Sequence, residues 1–341
     1  MRKALRGRIR GCLLAGAIGD ALGAPVEFDA SLDEIRRRFG PEGLREPAPA
    51  YGRVGAVTDD SQLTLFTAEG LVLAAVDGAL PERSSVVRNV HRAYLRWLRT
   101  QGEYSRHPTF ERTSEGWLLA VPALHARRAP GATCLAALAS DRMGRVEHPL
   151  NTSKGCGGLM RVAPVGLALT ADDPFGLGCD IAALTHGHPS GYLAAGFFAH
   201  VIRELVTGAS LEAACQEAGE ELRRRPHHEE CTSAVERALA LAKRGAYGPE
   251  NVARLGQGWI AEEALAIALY CALGAPDFES ALRLAVNHGG DSDSTGSLTG
   301  NLLGAALGEG VIPARWLGVL ELREEIERMA DELCAALGGG A

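Results

Sequence analysis

Apolar positions recur every three to four residues along most of this chain, the period of a helix that turns one face to a core. The period predicts helices over 63–75, 86–98, 117–124, 192–206, 211–222, 234–242, 260–273, 278–286, 298–307 and 320–337. Alternating β-branched runs are nearly absent, so strands are not expected. Pro81, Pro108, Pro130, Pro149, Pro226, Pro276 and Pro313 fall between the helical segments and punctuate them. No Ser- or Pro-rich linker divides the sequence, and no fixed-period repeat is visible. The pattern therefore predicts one compact all-α domain over residues 1–341.

Composition refines this without changing it. With 46% hydrophobic and 23% charged residues, 341 residues can bury a sizeable core. Lysine occurs only at Lys3, Lys154 and Lys243, so arginine carries nearly all the positive charge, and the net charge of −7 argues against a general binder of phosphate backbones. Eight cysteines lie scattered with no C-x-x-C pair, which suits reduced thiols in a cytoplasm better than a secreted disulfide framework. A basic start followed by the apolar stretch 12–17 imitates a signal peptide, but Asp20 and repeated glycines interrupt it. No run approaches the ~20 apolar residues of a membrane helix.

The chemistry concentrates in two acidic clusters, Thr58-Asp59-Asp60-Ser61 and Asp291-Ser292-Asp293-Ser294, each leading into an apolar helix. Thr58 can cap a helix that begins near Asp60, with both aspartates favoured by the dipole of the first turn. Asp291, Asp293 and Ser294 can likewise cap one that starts near Ser297. Numbered from Asp291 as an EF-hand loop, Gly296 falls at the sixth place, but the twelfth is Leu302 where a Glu is required, so that motif fails. Like charges crowded beside a core call for a cation between them. Carboxylates and hydroxyls without Cys or His favour Mg²⁺ or Mn²⁺. His186 and His188, and the run His227-His228-Glu229-Glu230-Cys231, lack partners at zinc spacing. Glycine-rich stretches at 16–23, 155–158, 256–258 and 289–300 read as turns that a shared site would bring together. Glu27 closes a glycine-kinked apolar run, which suits partial burial.

These motifs occur together in one family. Gly19-Asp20-Ala21-Leu22-Gly23 with Glu27, Thr58-Asp59-Asp60-Ser61-Gln62-Leu63, Gly155-Cys156-Gly157-Gly158-Leu159-Met160-Arg161, Thr185-His186 and Gly290-Asp291-Ser292-Asp293-Ser294 follow the order of the ADP-ribosylglycohydrolase family, which the chain resembles from about residue 8 to 307. The resemblance implies an all-α orthogonal helical bundle and a dinuclear centre of two Mg²⁺ or Mn²⁺. It assigns metal ligation to Thr58, Asp59, Asp60, Asp291, Asp293 and Ser294, and the catalytic or gating carboxyl to Glu27. It lays Ser153, Lys154, Gly155, Cys156 and Gly157 along a diphosphate, with His186 facing the diphosphate or distal ribose and Trp259 beside the adenosine. Cys156 stands where many members have Asn, and its expected role is packing. Arg161 is expected to anchor its loop.

The activity implied is hydrolysis of the bond between the distal ribose of ADP-ribose and an acceptor, on a protein, a nucleic acid or a small conjugate. The metals would hold the ribose hydroxyls, and Glu27 would activate water or protonate the leaving group. No obligate partner and no membrane association are expected. Two rivals remain open: a metal-dependent hydrolase of free nucleotides or phosphate esters, and a non-catalytic binder of ADP-ribose.

Overall fold

The protein, here a computed structural model, is described over residues 2–245 and 247–338; residues 1, 246 and 339–341, inside the expected 1–341 domain, lie outside the described residues. Helices dominate. Those that carry the site are α1 (Arg2–Gly23), α2 (Leu32–Phe39) and α3 (Asp59–Ala74), with α4 (Arg83–Thr100) packed on α3. Short helices α5 (Ala132–Leu138) and α6 (Ala163–Leu167) precede the hairpin of α7 (Pro174–Ala183) and α8 (Pro189–Thr207). Then come α9 (Leu211–Leu222), α10 (Glu229–Lys243), α11 (Pro249–Leu255), α12 (Ala261–Gly274) and α13 (Phe278–Val286). The series closes with α14 (Ser292–Leu307), α15 (Ala314–Leu317) and α16 (Arg323–Leu337). The all-α expectation holds: paired strand among the described residues amounts to Pro49–Ala50 against Arg53–Val54, besides two isolated bridges.

Local chemistry explains the two helices that matter most. Thr58 is extended (φ −104°, ψ −165°) and its side chain accepts from the Asp60 N–H, with Asp59 and Asp60 in the first turn, so α3 is capped as its sequence predicts. Helix α14 differs: it starts at Ser292, not near Ser297, and Asp291 makes no side-chain capping bond. The Asp291 carboxylate is left for another use. Both helices are buried almost all round, the pattern of elements at the centre of a structure.

The contact that organises the molecule is α1 against α14. A Cβ on Gly19 would stand 1.9 Å from the Gly296 carbonyl oxygen, one on Gly23 2.3 Å from that of Ser292, and one on Gly300 2.0 Å from that of Ala15. The glycines at 16–23 and 296–300 are thus not turns, as their sequence suggests, but the faces of two helices whose backbones touch. This contact sets the end of α1 beside the start of α14.

Two other expectations fail. Residues 117–124 form two 3₁₀ turns, Leu118–Ala120 and Pro122–His125, because Pro122 has no N–H to give and its ring obstructs a continuous helix. The last helix begins at Arg323, three residues later than the apolar period suggests.

Candidate metal centre and active site

Six carboxylates meet in the interior where α1, α3 and α14 converge: Asp20, Glu27, Asp59, Asp60, Asp291 and Asp293, all buried. Glu27 lies in the turn after α1, and its carboxylate, with those of Asp291 and Asp293, offers oxygens within 4.8 Å of one another. Asp20 braces the opposite side. Its oxygens accept from the Thr58 N–H at 3.0 and 3.1 Å, the Ser61 N–H at 3.1 Å and the Ser61 hydroxyl at 2.5 Å. Asp59 accepts from the Gly131 N–H at 3.1 Å, and Asp293 from the Ser294 N–H at 3.0 Å. Glu27 Oε2 and Asp60 Oδ1 are buried with no hydrogen-bond partner.

The electrostatics follow from this crowding. Burial first, and neighbouring carboxylates after it, lift Asp20 to about 7 and Glu27 to about 11. Burial likewise raises Asp59, Asp60 and Asp291 well above the ordinary carboxylate range, and Asp293 is raised too, though Asp291 and the Thr58 hydroxyl restrain it. Among the described residues no Lys or Arg forms a salt bridge with any of the six. A helix cap contributes about 1 kcal/mol and a first-turn dipole up to about 1 kcal/mol, whereas each buried charge without a partner costs several kcal/mol. Helix-end effects alone therefore do not account for six acids here. The donor set, carboxylate oxygens with the hydroxyls of Thr58 and Ser294 nearby and two orphaned oxygens, fits hard divalent cations.

Around this centre lie the other residues singled out from the sequence. The 153–157 loop is strapped to the start of α12: Gly155 bridges Ile260, the Cys156 N–H donates to the Trp259 carbonyl at 3.1 Å, and the Ala261 N–H donates to that of Lys154 at 2.8 Å. The N–H groups of Ser153 and Gly155 donate to Asn151 Oδ1 and Ser153 Oγ. Three of the N–H groups expected to meet a diphosphate are therefore engaged within the protein. Lys154 Nζ is bound by Glu230 at 2.5 Å and by Glu262, so it is no free cation for phosphate. Cys156 is buried and its thiol is pushed up by burial, the behaviour of a packing residue.

His186 lies behind the loop, 3.0 Å from where a Cβ on Gly157 would be, with Nδ1 2.8 Å from the Thr185 hydroxyl. Burial, then Arg161, lowers it to about 3, so it is neutral. Arg161 itself is fully buried, donates to Thr185 Oγ1 at 2.6 Å and sits 4.3 Å over the Tyr94 ring, the anchoring role expected of it.

Three features escape sequence reasoning. Asp20, taken as an interruption of an apolar run, is the brace described above. Phe28 is 71% exposed and stacks with the 42% exposed Trp259, centroids 6.3 Å apart at 22°. Tyr51 holds a positive φ of 49° at the tip of the strand pair, its ring 5.1 Å from the Arg128 guanidinium. Burial and the carboxylates of Glu27, Asp293, Asp20 and Asp59 raise its hydroxyl, which places it beside the cluster. The signal for Phe28 was its position next to Glu27; for Tyr51 it was the Tyr-Gly turn seven residues before Thr58.

Comparison with known proteins supplies the decision. A family model described as ADP-ribosylglycohydrolase matches residues 1–340. The chain belongs to the ADP-ribosylglycohydrolase family. Relatives include the ADP-ribosyl-[dinitrogen reductase] glycohydrolase of Rhodospirillum rubrum, 26% identical over 97% of both chains. The ADP-ribosylarginine hydrolase Tri1 of Serratia proteamaculans is 24% identical over 96% of this chain and 78% of its own. Among solved structures, an ADP-ribosylglycohydrolase-related protein complex is 31% identical, covers 97% of this chain and 98% of its own, and superposes with a TM-score of 0.67. The all-α fold is thus that of an ADP-ribosylglycohydrolase. No described helix is long and apolar enough to cross a membrane.

Proposed function

We propose that the protein hydrolyses the bond between the distal ribose of ADP-ribose and an acceptor side chain, with arginine the acceptor to test first. The observation that carries this is the set of six buried carboxylates without a cationic partner, gathered where α1, α3 and α14 converge. Within it Thr58, Asp59, Asp60, Asp291, Asp293 and Ser294 would hold two divalent cations, Mg²⁺ or Mn²⁺. When bound, the cations would neutralise the cluster and polarise the ribose hydroxyls.

The protein's own groups do the rest. Asp20 fixes the start of α3 through three donors, so that Thr58, Asp59 and Asp60 keep their positions without substrate. Glu27 would handle protons, a role supported by its position on the turn beside Asp291 and Asp293 and by its unpartnered oxygen. Water oxygen bonds to the anomeric carbon as the carbon–nitrogen bond to the acceptor breaks; Glu27 takes a proton from that water and delivers one to the departing nitrogen. Phe28 and Trp259 present flat faces on which the adenine can stack. The described cysteines are all free, which supports a reducing cytoplasm as the place of action. The name of the Serratia proteamaculans relative, an ADP-ribosylarginine hydrolase, supports arginine as acceptor.

The test is release of ADP-ribose from an ADP-ribosylarginine peptide, with Mg²⁺ or Mn²⁺ and after chelation. Release is expected only with the metals, and not from an Asp59→Ala/Asp293→Ala double variant. Full activity after chelation, or in that variant, would overturn the proposal.

A further inference from the structure

Away from the carboxylates, a cleft of about 810 Å³ opens between α4 and the segments 107–109 and 141–148. Its walls are basic although the protein's net charge is −7. Arg88 and Arg92 line it from α4, each with a glutamate neighbour, Glu82 and Glu115. Arg142 and Arg145 line the opposite wall. Their guanidinium groups have no ion pair or hydrogen bond among the described residues, and Asp141 is the one acid in the lining.

At the inner wall lies His91, 3% exposed, its ring edge-on to His107 at 4.7 Å. Neither of its ring nitrogens has a hydrogen-bond partner among the described residues. Burial, then His107, lowers it to about 3, so at neutral pH it offers one N–H and one lone pair, and the arginines supply the charge. The cleft is preformed. Arg145 and His148 exchange backbone hydrogen bonds at 3.3 and 3.2 Å, the Arg106 N–H donates to the Ala139 carbonyl at 3.1 Å, and a Cβ on Gly144 would stand 2.4 Å from the Ala183 carbonyl oxygen. Free guanidiniums beside a buried neutral donor match the oxygens of a phosphate group, and the volume is that of a small-ligand pocket.

We propose that this cleft binds a phosphate ester of nucleotide size, with its phosphates on Arg142 and Arg145 and one oxygen accepting from His91. None of the carboxylate-site residues lines it, so the proposal stands apart from the hydrolytic one.

Calorimetric titration of the full chain, freed of divalent ions on a chelating resin, tests it with ADP and with inorganic pyrophosphate. Without cations the six carboxylates repel phosphate, which removes the other site as a competitor. Binding of ADP is expected, weakened about tenfold or more in Arg142→Ala/Arg145→Ala. A several-fold loss is expected in His91→Phe, which keeps the ring volume. Release of ADP-ribose with metal restored is expected to be unchanged in the arginine variant, whose side chains are exposed. Pyrophosphate binding as tightly as ADP would identify phosphate alone as the recognised group; tighter ADP binding would identify the nucleotide. No binding by the unaltered protein at millimolar ADP, or equal affinity in the arginine variant, would overturn the proposal.

Discussion

Glu27 lies on the turn that follows α1, with one oxygen unclaimed. Its amide replacement keeps shape and removes proton transfer. Glu27→Gln should lower kcat by about 10²–10⁴ and leave ADP-ribose affinity within a few-fold, measured by turnover beside titration. The cluster also makes stability depend on pH. Carboxyls raised on folding bind protons more tightly in the native state, so the stability they contribute is complete below the unfolded values near 4. It is lost as pH rises through the folded ones, near 7 for Asp20 and near 11 for Glu27. Metal-free protein should therefore melt at progressively lower temperature from pH 5 to pH 8, and Mg²⁺ should raise the pH 8 value and flatten the slope. A flat metal-free profile would contradict this assignment of charge. At this scale the sequence was legible where chemistry is local: Thr58, Asp59 and Asp60 announce themselves by a cap and adjoining acids. Asp20 and Tyr51 did not, because what makes them matter is contact with segments about forty residues away or with an arginine seventy-seven residues on.

Among elements, the pairing of α1 with α14 does most to shape the site. Gly19→Ala would press a methyl against the Gly296 carbonyl, a backbone oxygen with no rotamer to yield. Overpacking of this kind costs about 1–3 kcal/mol, and the variant should lose stability and metal affinity together. Gly7→Ala in the same helix is the control, since nothing lies within 4 Å of the added carbon; it should stabilise by about 0.5–1 kcal/mol. Thermal melts of both variants check the contrast. The apolar period located most of the long helices, because one-sided burial leaves that signature. Glycine content misassigned parts of α1 and α14 as turns, since glycine disfavours an isolated helix and only the partner's backbone makes its lack of a Cβ an advantage. The apolar period also ran 117–124 together as one helix, where Pro122 divides the segment.

At the scale of the whole molecule, the site depends on a residue near the far end of the chain. Glu321 Oε2 accepts from the Val57 N–H at 3.2 Å and from Arg128 at 3.0 Å, while Oε1 accepts from Arg53 at 3.1 Å. Arg128 in turn offers its carbonyl to the Asp59 N–H at 3.2 Å. Glu321→Ala would leave the Arg128 guanidinium buried and unpaired, a loss of about 3–5 kcal/mol. Chemical denaturation should register that loss, and turnover should fall with it, because Val57 leads directly into Thr58. The approach of α1 to α14 carries a consequence in time as well. A ribosome adds about 5–20 residues per second, so roughly 15–55 s separate the emergence of the first helix from that of its partner. During that interval the small-residue face of the first helix has nothing of its own to close on, and contacts of such long sequence separation form slowly. The contact on which the candidate metal centre is built therefore cannot close until the whole span between the two helices has been made.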